Sequence, residues 1–273
     1  MGELSRERVN DILFRDRLYF ASISSLNDPF EGKPRVVPVE GDPMEQKKRL
    51  GEFYVYSRIL SALTDDKPPI SGQEIFAAYE SLDVSRLQKA FAEILEDHIR
   101  VYSVTAVRHP ILLWSHYAGD HKGVALHFRR DVHPFTSAVP IRYTSEYPKL
   151  PFPLQGGLST AVVDAILTKS ECWAYEREHR LIRRREVDLP DEVERGLGWP
   201  KDRVKASHLG VTWEGPEAVA PRDALCGITL GAAMDKAVAA GLVAKIRKER
   251  PTLEIWKARR DPDKYRLVFD LVQ

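Results

Sequence analysis

The chain has 273 residues, of which 43% are apolar, 30% charged and 9% aromatic, and its net charge is +1. This balance excludes the strong overall basicity that holds proteins on nucleic acids or anionic membranes, and the apolar fraction excludes a disordered chain. Cys172 and Cys226 have no CxxC spacing, and apolar runs such as Ala237–Ile246 are shorter than the roughly 20 residues that cross a bilayer. Because the N-terminus also lacks the apolar run of a signal peptide, we expect a cytoplasmic protein without membrane contact.

Helical patterns dominate the N-terminal third of the chain. Apolar residues recur there every three or four positions, which predicts a helix over Ser5–Asp16 and, after a short strand at Leu18–Ala21, helices over Met44–Leu63 and Ser71–His98. The last two helices form a predicted helical insertion at about residues 43–98.

Strand patterns predominate after residue 99. Alternating residues predict strands over Arg100–Val107, Gly123–Phe128, Val139–Tyr143 and His179–Val187. Helical segments are predicted between them, at Pro110–Tyr117 and Leu158–Trp173. Residues 188–222 are rich in Pro, Gly and charge, and we expect an excursion from the fold that carries one strand near Ala206–Trp213.

The C-terminal segment begins with a buried strand, Cys226–Leu230, which a tight turn at Gly231 joins to a helix over Ala232–Lys248. Two further strands, Leu253–Ala258 and Tyr265–Leu271, predict a closing hairpin. Helices precede most strands instead of alternating with them, which indicates an α+β fold and not a regular βαβ repeat. We therefore predict a single domain over residues 1–273, with helices mostly in its N-terminal half packed on a mixed or antiparallel sheet.

The first of three polar clusters follows the strand at Leu18–Ala21 and ends in an Asn-Asp-Pro-Phe-Glu sequence. Hydroxyls, an amide and carboxylates here could line a ligand pocket. Turn chemistry explains most of the same residues, because Asn and Asp side chains bond the local backbone and Pro29 fixes the bend. Only Glu31 is left without a role in a capped turn.

The second cluster combines aromatic rings with histidines over residues 113–123. His116 and His121, with Asp120, could suggest a metal site, but no third ligand lies at a recognisable interval, so we predict no metal. The rings of Trp114, His116 and Tyr117 could instead form a platform that stacks planar groups. A core aromatic beside a hydrogen-bonded imidazole is the alternative.

The third cluster places two glutamates among aromatic and basic residues near position 175. Glu176 and Glu178 share a face if the segment is extended, and neighbouring carboxylates tend to separate in pKa. An ionised Glu can bond a ribose hydroxyl or stabilise an oxocarbenium-like transition state. The alternative is a charged helix end, in which Glu176 and Arg180 form an exposed i,i+4 ion pair.

The three clusters, in this order, resemble a widespread, mostly bacterial family known as domain of unknown function 2971 (DUF2971). Its Asn-Asp-Pro-Phe-Glu turn is matched at Leu26–Glu31, and its Trp-Ser-His-Tyr-Ala and His-Lys-Gly segments at Trp114–Ala118 and His121–Gly123. Its Lys…Trp-x-Tyr-Glu-x-Glu-x-Arg segment is matched within Lys169–Arg180. The resemblance spans about Leu18–Phe269, nearly the whole chain.

The layout is also similar, at the level of the fold, to ADP-ribosyltransferases. Those enzymes use an N-terminal strand with Arg or His, a strand with aromatic and Ser residues, and a late Glu-x-Glu. Tyr19–Ser25 and Glu176–Glu178 match the second and third parts. DUF2971 members usually start with a strand that carries Tyr or His, and we expect this strand to be absent here or lost to a late start assignment.

These resemblances imply an α+β enzyme that binds a nucleotide such as NAD between two sheets and transfers its ribosyl group. Glu178 would bond ribose and stabilise charge, and Glu176 would orient the acceptor, so the expected catalytic residues are Glu178, Glu176 and His116. The expected ligand-binding residues, spread over all three clusters, are Tyr19, Ser22, Asn27, Asp28, Trp114, Tyr117, His121, Lys122, Lys169, Trp173, Tyr175 and Arg180.

Two other functions remain open from the sequence. One is a non-catalytic ligand-sensing or defence-associated module, in which Trp114, His116 and Glu178 are buried and mutually bonded. The other is nucleic-acid processing through the basic segments Arg180–Arg185 and Lys245–Arg260, although the neutral total charge disfavours it.

Overall fold

A computed structural model describes residues 3–38, 99–152, 163–184 and 217–272, together with 42, 44, 88–89, 91–93 and 95–96. Three helices with complete bounds are α1 (Glu3–Arg15), α2 (Ile111–Tyr117) and α3 (Lys236–Glu249). The described residues of 88–96 and of 163–166 are also helical. The fold belongs to the α+β class, as the sequence predicts.

Fourteen strands lie in the described parts of the chain. They are numbered in chain order: β1 (Arg17–Tyr19), β2 (Ala21–Ser22), β3 (Arg35–Pro38), β4 (Ile99–Thr105), β5 (Val124–Phe128), β6 (Val139–Pro140), β7 (Arg142–Thr144), β8 (Lys149–Phe152), β9 (Thr168–Ser170), β10 (Glu178–Arg184), β11 (Glu217–Val219), β12 (Leu225–Leu230), β13 (Glu254–Arg260) and β14 (Leu267–Leu271).

The described strands form two four-stranded sheets and three strand pairs. The first sheet has the order β2-β4-β10-β6 and is antiparallel throughout. The second has the order β14-β13-β12-β5 and is mixed, because β12 and β13 run parallel while the outer pairs are antiparallel. The pairs are β1-β11, β3-β8 and β7-β9. A mixed sheet agrees with the sequence prediction.

Helices α1 and α3 pack on one face of the second sheet. Leu13 of α1 and Ile246 of α3 join Ile228 and Ile255 of the central strands in a buried cluster. Burying such side chains contributes about 1.5–3 kcal/mol each. A second cluster, which includes Phe20 and extends to aromatic residues of β4 and β5, lies between the two sheets. The two sheets therefore share part of their core.

Several predicted elements are confirmed, and the last helix begins later than predicted. The C-terminal hairpin forms as β13 and β14, and the short helix after β4 forms as α2. The last helix begins at Lys236, later than predicted, because Asp235 caps it by accepting bonds from Ala237 N and Val238 N. The chain between Gly231 and Asp235 forms a turn, with Met234 N bonded to Gly231 O.

The helix predicted over Leu158–Trp173 is wrong in its second half. Helical structure is described at residues 163–166, after which β9 pairs in parallel with β7, and Glu171–Glu176 forms a short 3₁₀ helix. Lys169 lies within β9 and is buried beside three carboxylates, one of which, Glu31, is distant in the sequence. Tertiary ion pairing thus overrides the local helical pattern.

Other predictions fall on residues outside the described ranges. These are the helix at Met44–Leu63, most of the helix at Ser71–His98 and the strand near Ala206–Trp213. Within the described residues, no helix combines the length and the apolar character needed to cross a membrane.

Candidate functional site

The third sequence cluster forms the centre of the candidate site. β10 carries Glu178 and Arg180 two residues apart, which places their side chains on one face of the strand. The 3₁₀ helix before it ends at Glu176, and Arg177 reverses the chain with a positive φ of 45°. These elements bring both Glu176 and Glu178 into contact with one cation, Lys169 of β9.

Lys169 and Arg180 form a buried ion network with three carboxylates. Lys169 Nζ lies 2.8 Å from Glu176 Oε2, 2.9 Å from Glu178 Oε2 and 3.6 Å from Glu31 Oε1. Arg180 Nε donates to Glu178 Oε1 at 2.7 Å, and its Nη2 donates to Glu31. Each of the five side chains is at most 6% exposed, so both partners of every pair are desolvated.

Burial and charge act in opposite directions on these groups. Burial favours a neutral Glu178, but the Arg180 guanidinium and Lys169 outweigh it and hold the pKa of Glu178 below its ordinary value. Burial dominates at Glu31 and raises its pKa despite the same two cations. Burial also disfavours the charged form of Lys169, yet Glu178 and the other carboxylates raise its pKa, so it stays protonated. Glu31 therefore holds a proton more readily than Glu178 does.

Two carboxylate oxygens of the Asp28–Glu31 turn lack a partner among the described residues. Asp28 Oδ1 accepts the backbone N–H of Phe30 at 2.9 Å, but its Oδ2 and the Oε2 of Glu31 accept no hydrogen bond there. Both side chains are buried. The turn thus combines the predicted capping role of Asp28 with acceptor capacity that the described residues do not use.

Tyr117 links the buried network to the molecular surface. Its hydroxyl donates to Glu176 Oε1 at 2.7 Å and accepts a hydrogen bond from Asn27 Nδ2 at 2.9 Å. Glu176 is buried, whereas Tyr117 is 53% exposed. Burial of the hydroxyl and its bond to Glu176 raise the pKa of Tyr117, so it remains a neutral donor. One lone pair of the phenol oxygen is left to accept a hydrogen bond from a ligand.

Aromatic rings surround this link. The His116 ring lies 6.3 Å from the Tyr117 ring and 6.1 Å from the Trp173 ring, centroid to centroid. Trp173 in turn contacts Tyr175 and lies 4.9 Å from Lys169 Nζ. The structure therefore places nine of the predicted site residues together: Asn27, His116, Tyr117, Lys169, Trp173, Tyr175, Glu176, Glu178 and Arg180.

Trp114 belongs to the core instead of a ligand platform. It is 3% exposed, packs against Ala118 and Leu267, and donates from Nε1 to Arg108 O at 2.7 Å. Its neighbour His116 is exposed, so these two residues and Glu178 do not form the mutually bonded buried set of the sensing alternative.

Four other predicted binding residues lie outside the ion network. Tyr19 of β1 is covered by the guanidinium of Arg8, and Ser22 bonds Ser24 Oγ at 3.1 Å. His121 adopts a φ of 65° and bonds through its backbone to Trp114 O, and Lys122 is exposed. The His-Lys-Gly part of the second cluster therefore shapes a turn.

The site also contains residues that the sequence did not single out. Tyr143 Oη accepts the backbone N–H of Glu178 at 2.8 Å, Thr105 Oγ1 donates to Glu176 O at 2.5 Å, and Ser103 bonds the Glu178 carboxylate. Ser103 and Thr105 stand in β4, whose register with β10 only the folded sheet defines, and Tyr143 stands in β7, which pairs with β9. Glu31 was visible as the residue left over by turn chemistry.

The described residues contain no group of three or more His, Cys, Asp or Glu side chains arranged to hold a metal ion. Comparisons of the chain with family models, curated proteins and solved structures gave no match. The site must therefore be interpreted from its own chemistry.

Proposed function

We propose that the chain binds an NAD-type nucleotide beside Tyr117 and Glu176 and transfers its ribosyl group to an acceptor, in the manner of an ADP-ribosyltransferase. The observation that carries this proposal is the hydrogen-bonded chain from Asn27 through Tyr117 to Glu176. It connects an exposed phenol with a buried carboxylate that a fixed cation holds in place. Such a chain can recognise a sugar hydroxyl and respond to charge that develops next to it.

The rings beside Tyr117 support a planar ligand. The His116 ring lies next to the rings of both Tyr117 and Trp173, and aromatic side chains stack planar groups while their polar atoms still form hydrogen bonds. A nicotinamide or adenine ring is such a group, and ribose supplies the hydroxyls.

The reaction requires one bond to break and one to form. The bond between ribose C1′ and the nicotinamide nitrogen breaks, and its electron pair leaves with nicotinamide, which becomes neutral. The ribosyl cation then takes an electron pair from an acceptor oxygen, and the proton of that oxygen passes to Glu176. A carboxylate at this position stabilises the cation before the acceptor attacks.

We assign this role to Glu176 and a positioning role to Glu178. Glu178 contacts Lys169 and Arg180, two buried cations that would repel the positive charge of a ribosyl cation beside it. Glu176 shares Lys169 but bonds on its other side to the exposed Tyr117. The catalytic role that the sequence suggested for Glu178 thus moves, in our proposal, to its neighbour.

A non-catalytic ligand-sensing module is the second candidate. The ion network favours it, because cations neutralise most of the carboxylate charge that catalysis would use. The nucleic-acid alternative relied on the basic strand β10 as a contact surface, but Arg180 and Arg183 of that strand are buried.

Calorimetric titration with NAD, ADP-ribose and nicotinamide mononucleotide tests the proposal. We expect Tyr117→Phe to weaken nucleotide binding about tenfold, since it removes the hydrogen bond that the phenol oxygen accepts from a ribose hydroxyl while keeping the ring. The matched control is Tyr265→Phe, because Tyr265 is fully exposed and contacts no described side chain. Its affinity should equal that of the unaltered chain.

Release of nicotinamide separates the two candidates. Turnover that Glu176→Gln abolishes supports the transferase, whereas binding without nicotinamide release supports the sensing module. Absence of binding by all three nucleotides would rule out the transferase.

A further inference from the structure

Arg108 lies outside the candidate site, in the segment that connects β4 to α2. Its guanidinium carbon is 4.7 Å from the ring centroid of Trp256 and 4.6 Å from that of Phe269. These rings stand on neighbouring strands, β13 and β14, and on the same face of the second sheet. The guanidinium is thus held against two aromatic rings.

Buried contacts fix the backbone at this position as well. Trp114 donates from Nε1 to the carbonyl of Arg108 at 2.7 Å, and Trp114 itself is buried. The nearby Trp256 donates from Nε1 to Glu254 Oε2 at 3.2 Å. The base and the head of the Arg108 side chain are therefore both positioned by aromatic residues.

The polar edge of this guanidinium is not used by the described part of the protein. Arg108 forms no side-chain hydrogen bond and no ion pair with any residue in the described ranges, although it is partly buried. Arginines that are removed from water normally have an acceptor, as Arg180 has in Glu178. Five N–H donors in a fork that fits carboxylate and phosphate oxygens remain for a ligand.

The face of the sheet beside Arg108 carries a second polar group. His127 of β5 lies close enough for the charge of Arg108 to act on it, and its Nε2 is 2.8 Å from the buried hydroxyl of Thr229. Burial and Arg108 lower the pKa of His127 to about 4, so it is neutral at pH 7. It adds a polar surface without a competing positive charge.

We propose that Arg108 binds the phosphate or carboxylate group of a small ligand on this face of the second sheet, beside Trp256 and His127. A bidentate bond uses the edge of the guanidinium, and the ring contacts leave that edge accessible. Because the rings already orient the side chain, less conformational entropy is lost on binding than at a mobile surface arginine.

This anion site is distinct from the candidate nucleotide site. Arg108 precedes the seven-residue helix α2, and Tyr117 is its last residue, so the two positions lie at opposite ends of that helix. The inference does not depend on the proposed function, because neither Tyr117 nor Glu176 takes part in it.

Isothermal titration of the whole chain with inorganic phosphate, glycerol phosphate and acetate tests the inference. We expect Arg108→Gln to weaken anion binding about tenfold or more, as the loss of a charged bidentate bond requires. Arg130→Gln is the matched control, because Arg130 is exposed and has no partner among the described residues. Glu254→Gln should tighten binding, because Glu254 places a negative charge near the same site.

The three probes also separate the sources of the anion. Tighter binding of glycerol phosphate than of inorganic phosphate indicates an organic phosphate, and a preference for acetate indicates a carboxylate. Equal affinity of the Arg108→Gln variant and the unaltered chain, or no heat with any probe, overturns the inference. Should Arg108→Gln fail to fold, Arg108→Lys and Glu254→Gln must still shift the affinity in opposite directions.

Discussion

At the scale of single residues, the ion network contains one carboxylate more than it has cations. Glu31, Glu176 and Glu178 face Lys169 and Arg180, which leaves one negative charge without a partner inside the cluster. Glu31 is the group best suited to carry a proton, because burial raises its pKa and its Oε2 has no described partner. A proton on Glu31 lets Glu178, whose pKa is lowered, remain ionised in a buried setting.

Glu178→Gln should destabilise the chain by about 3–5 kcal/mol, the usual cost of breaking a buried ion pair. The substitution keeps the shape of the side chain but removes the one carboxylate among the described residues that lies within 3 Å of both Lys169, at 2.9 Å, and Arg180, at 2.7 Å. Urea unfolding monitored by circular dichroism measures the change in the free energy of unfolding.

Glu217→Gln provides the comparison for this variant. Glu217 pairs with Arg17 at 3.3 Å, but both side chains are about half exposed, so its loss should cost less than about 1 kcal/mol. Equal losses for the two variants would mean that the buried network contributes no more than a surface pair.

At the scale of elements, the turn after α2 and the end of β12 are interlocked. Gly231 N donates to Gly123 O, and Ala233 N donates to His121 O. Gly119, Asp120 and His121 all adopt a positive φ, a conformation that non-glycine residues rarely take. The His-Lys-Gly motif therefore has a structural role, because its backbone carbonyls accept hydrogen bonds from the segment that leads into α3.

Gly231→Ala should destabilise the chain by about 1–3 kcal/mol through overpacking. A Cβ atom at this position would lie 2.1 Å from His121 O and 2.8 Å from Gly123 O, both backbone atoms that cannot move independently. Thermal unfolding of the variant measures the loss.

Gly241→Ala is the matched control in α3. A Cβ atom at Gly241 meets nothing within 4 Å, and alanine is the better helix former, so stability should rise by about 0.5–1 kcal/mol. A Gly231→Ala variant as stable as the unaltered chain would contradict the interlocking of these turns.

Local patterns predicted the elements whose causes are local. The apolar spacing of Val9, Ile12 and Leu13 predicted α1. The segment around Asp261 predicted the C-terminal hairpin, and in the turn of that hairpin Asp263 N and Arg266 Nε both donate to the Asp261 carboxylate. The start of α3 could also have been found, since Asp235 is a good N-cap.

Contacts between residues that are distant in the sequence could not be predicted from such local patterns. Lys169 fitted a helical pattern, and only the carboxylates of β10 and of the Asp28–Glu31 turn explain why it is buried in a strand. The motifs thus identified most of the residues of the candidate site, but the register of β4 on β10 added Ser103 and Thr105.

At the scale of the whole molecule, buried titratable groups in both sheets make the stability of the fold depend on pH. The first sheet holds Glu178, whose pKa is lowered, and the second holds His127, whose pKa falls to about 4 from 6.5. A lowered carboxylate pKa stabilises the fold above about pH 4.5 and loses this effect as the pH falls. A lowered histidine pKa acts earlier, because the unfolded chain takes up a proton below pH 6.5 while the folded chain does not.

We therefore expect acidification to destabilise the chain in two steps. Between pH 7 and pH 4.5, His127 should remove about 1–3 kcal/mol, and below pH 4.5 the protonation of Glu178 adds to the loss. Glu31 opposes the first step, because its raised pKa lets the folded chain take up a proton above pH 4.5 more readily than the unfolded chain does. Urea unfolding at pH 7, 5.5, 4.5 and about 3.5 measures both steps.

His127→Asn should flatten the first step, since an amide can still bond Thr229 but takes up no proton. His109→Asn should leave it unchanged, because His109 is exposed and forms no described side-chain contact. A first step of equal size in both variants would mean that His127 is protonated as readily in the folded chain as in the unfolded one. The face of the second sheet would then be open to water at His127, and the neutral imidazole beside Arg108 would be lost from the anion site.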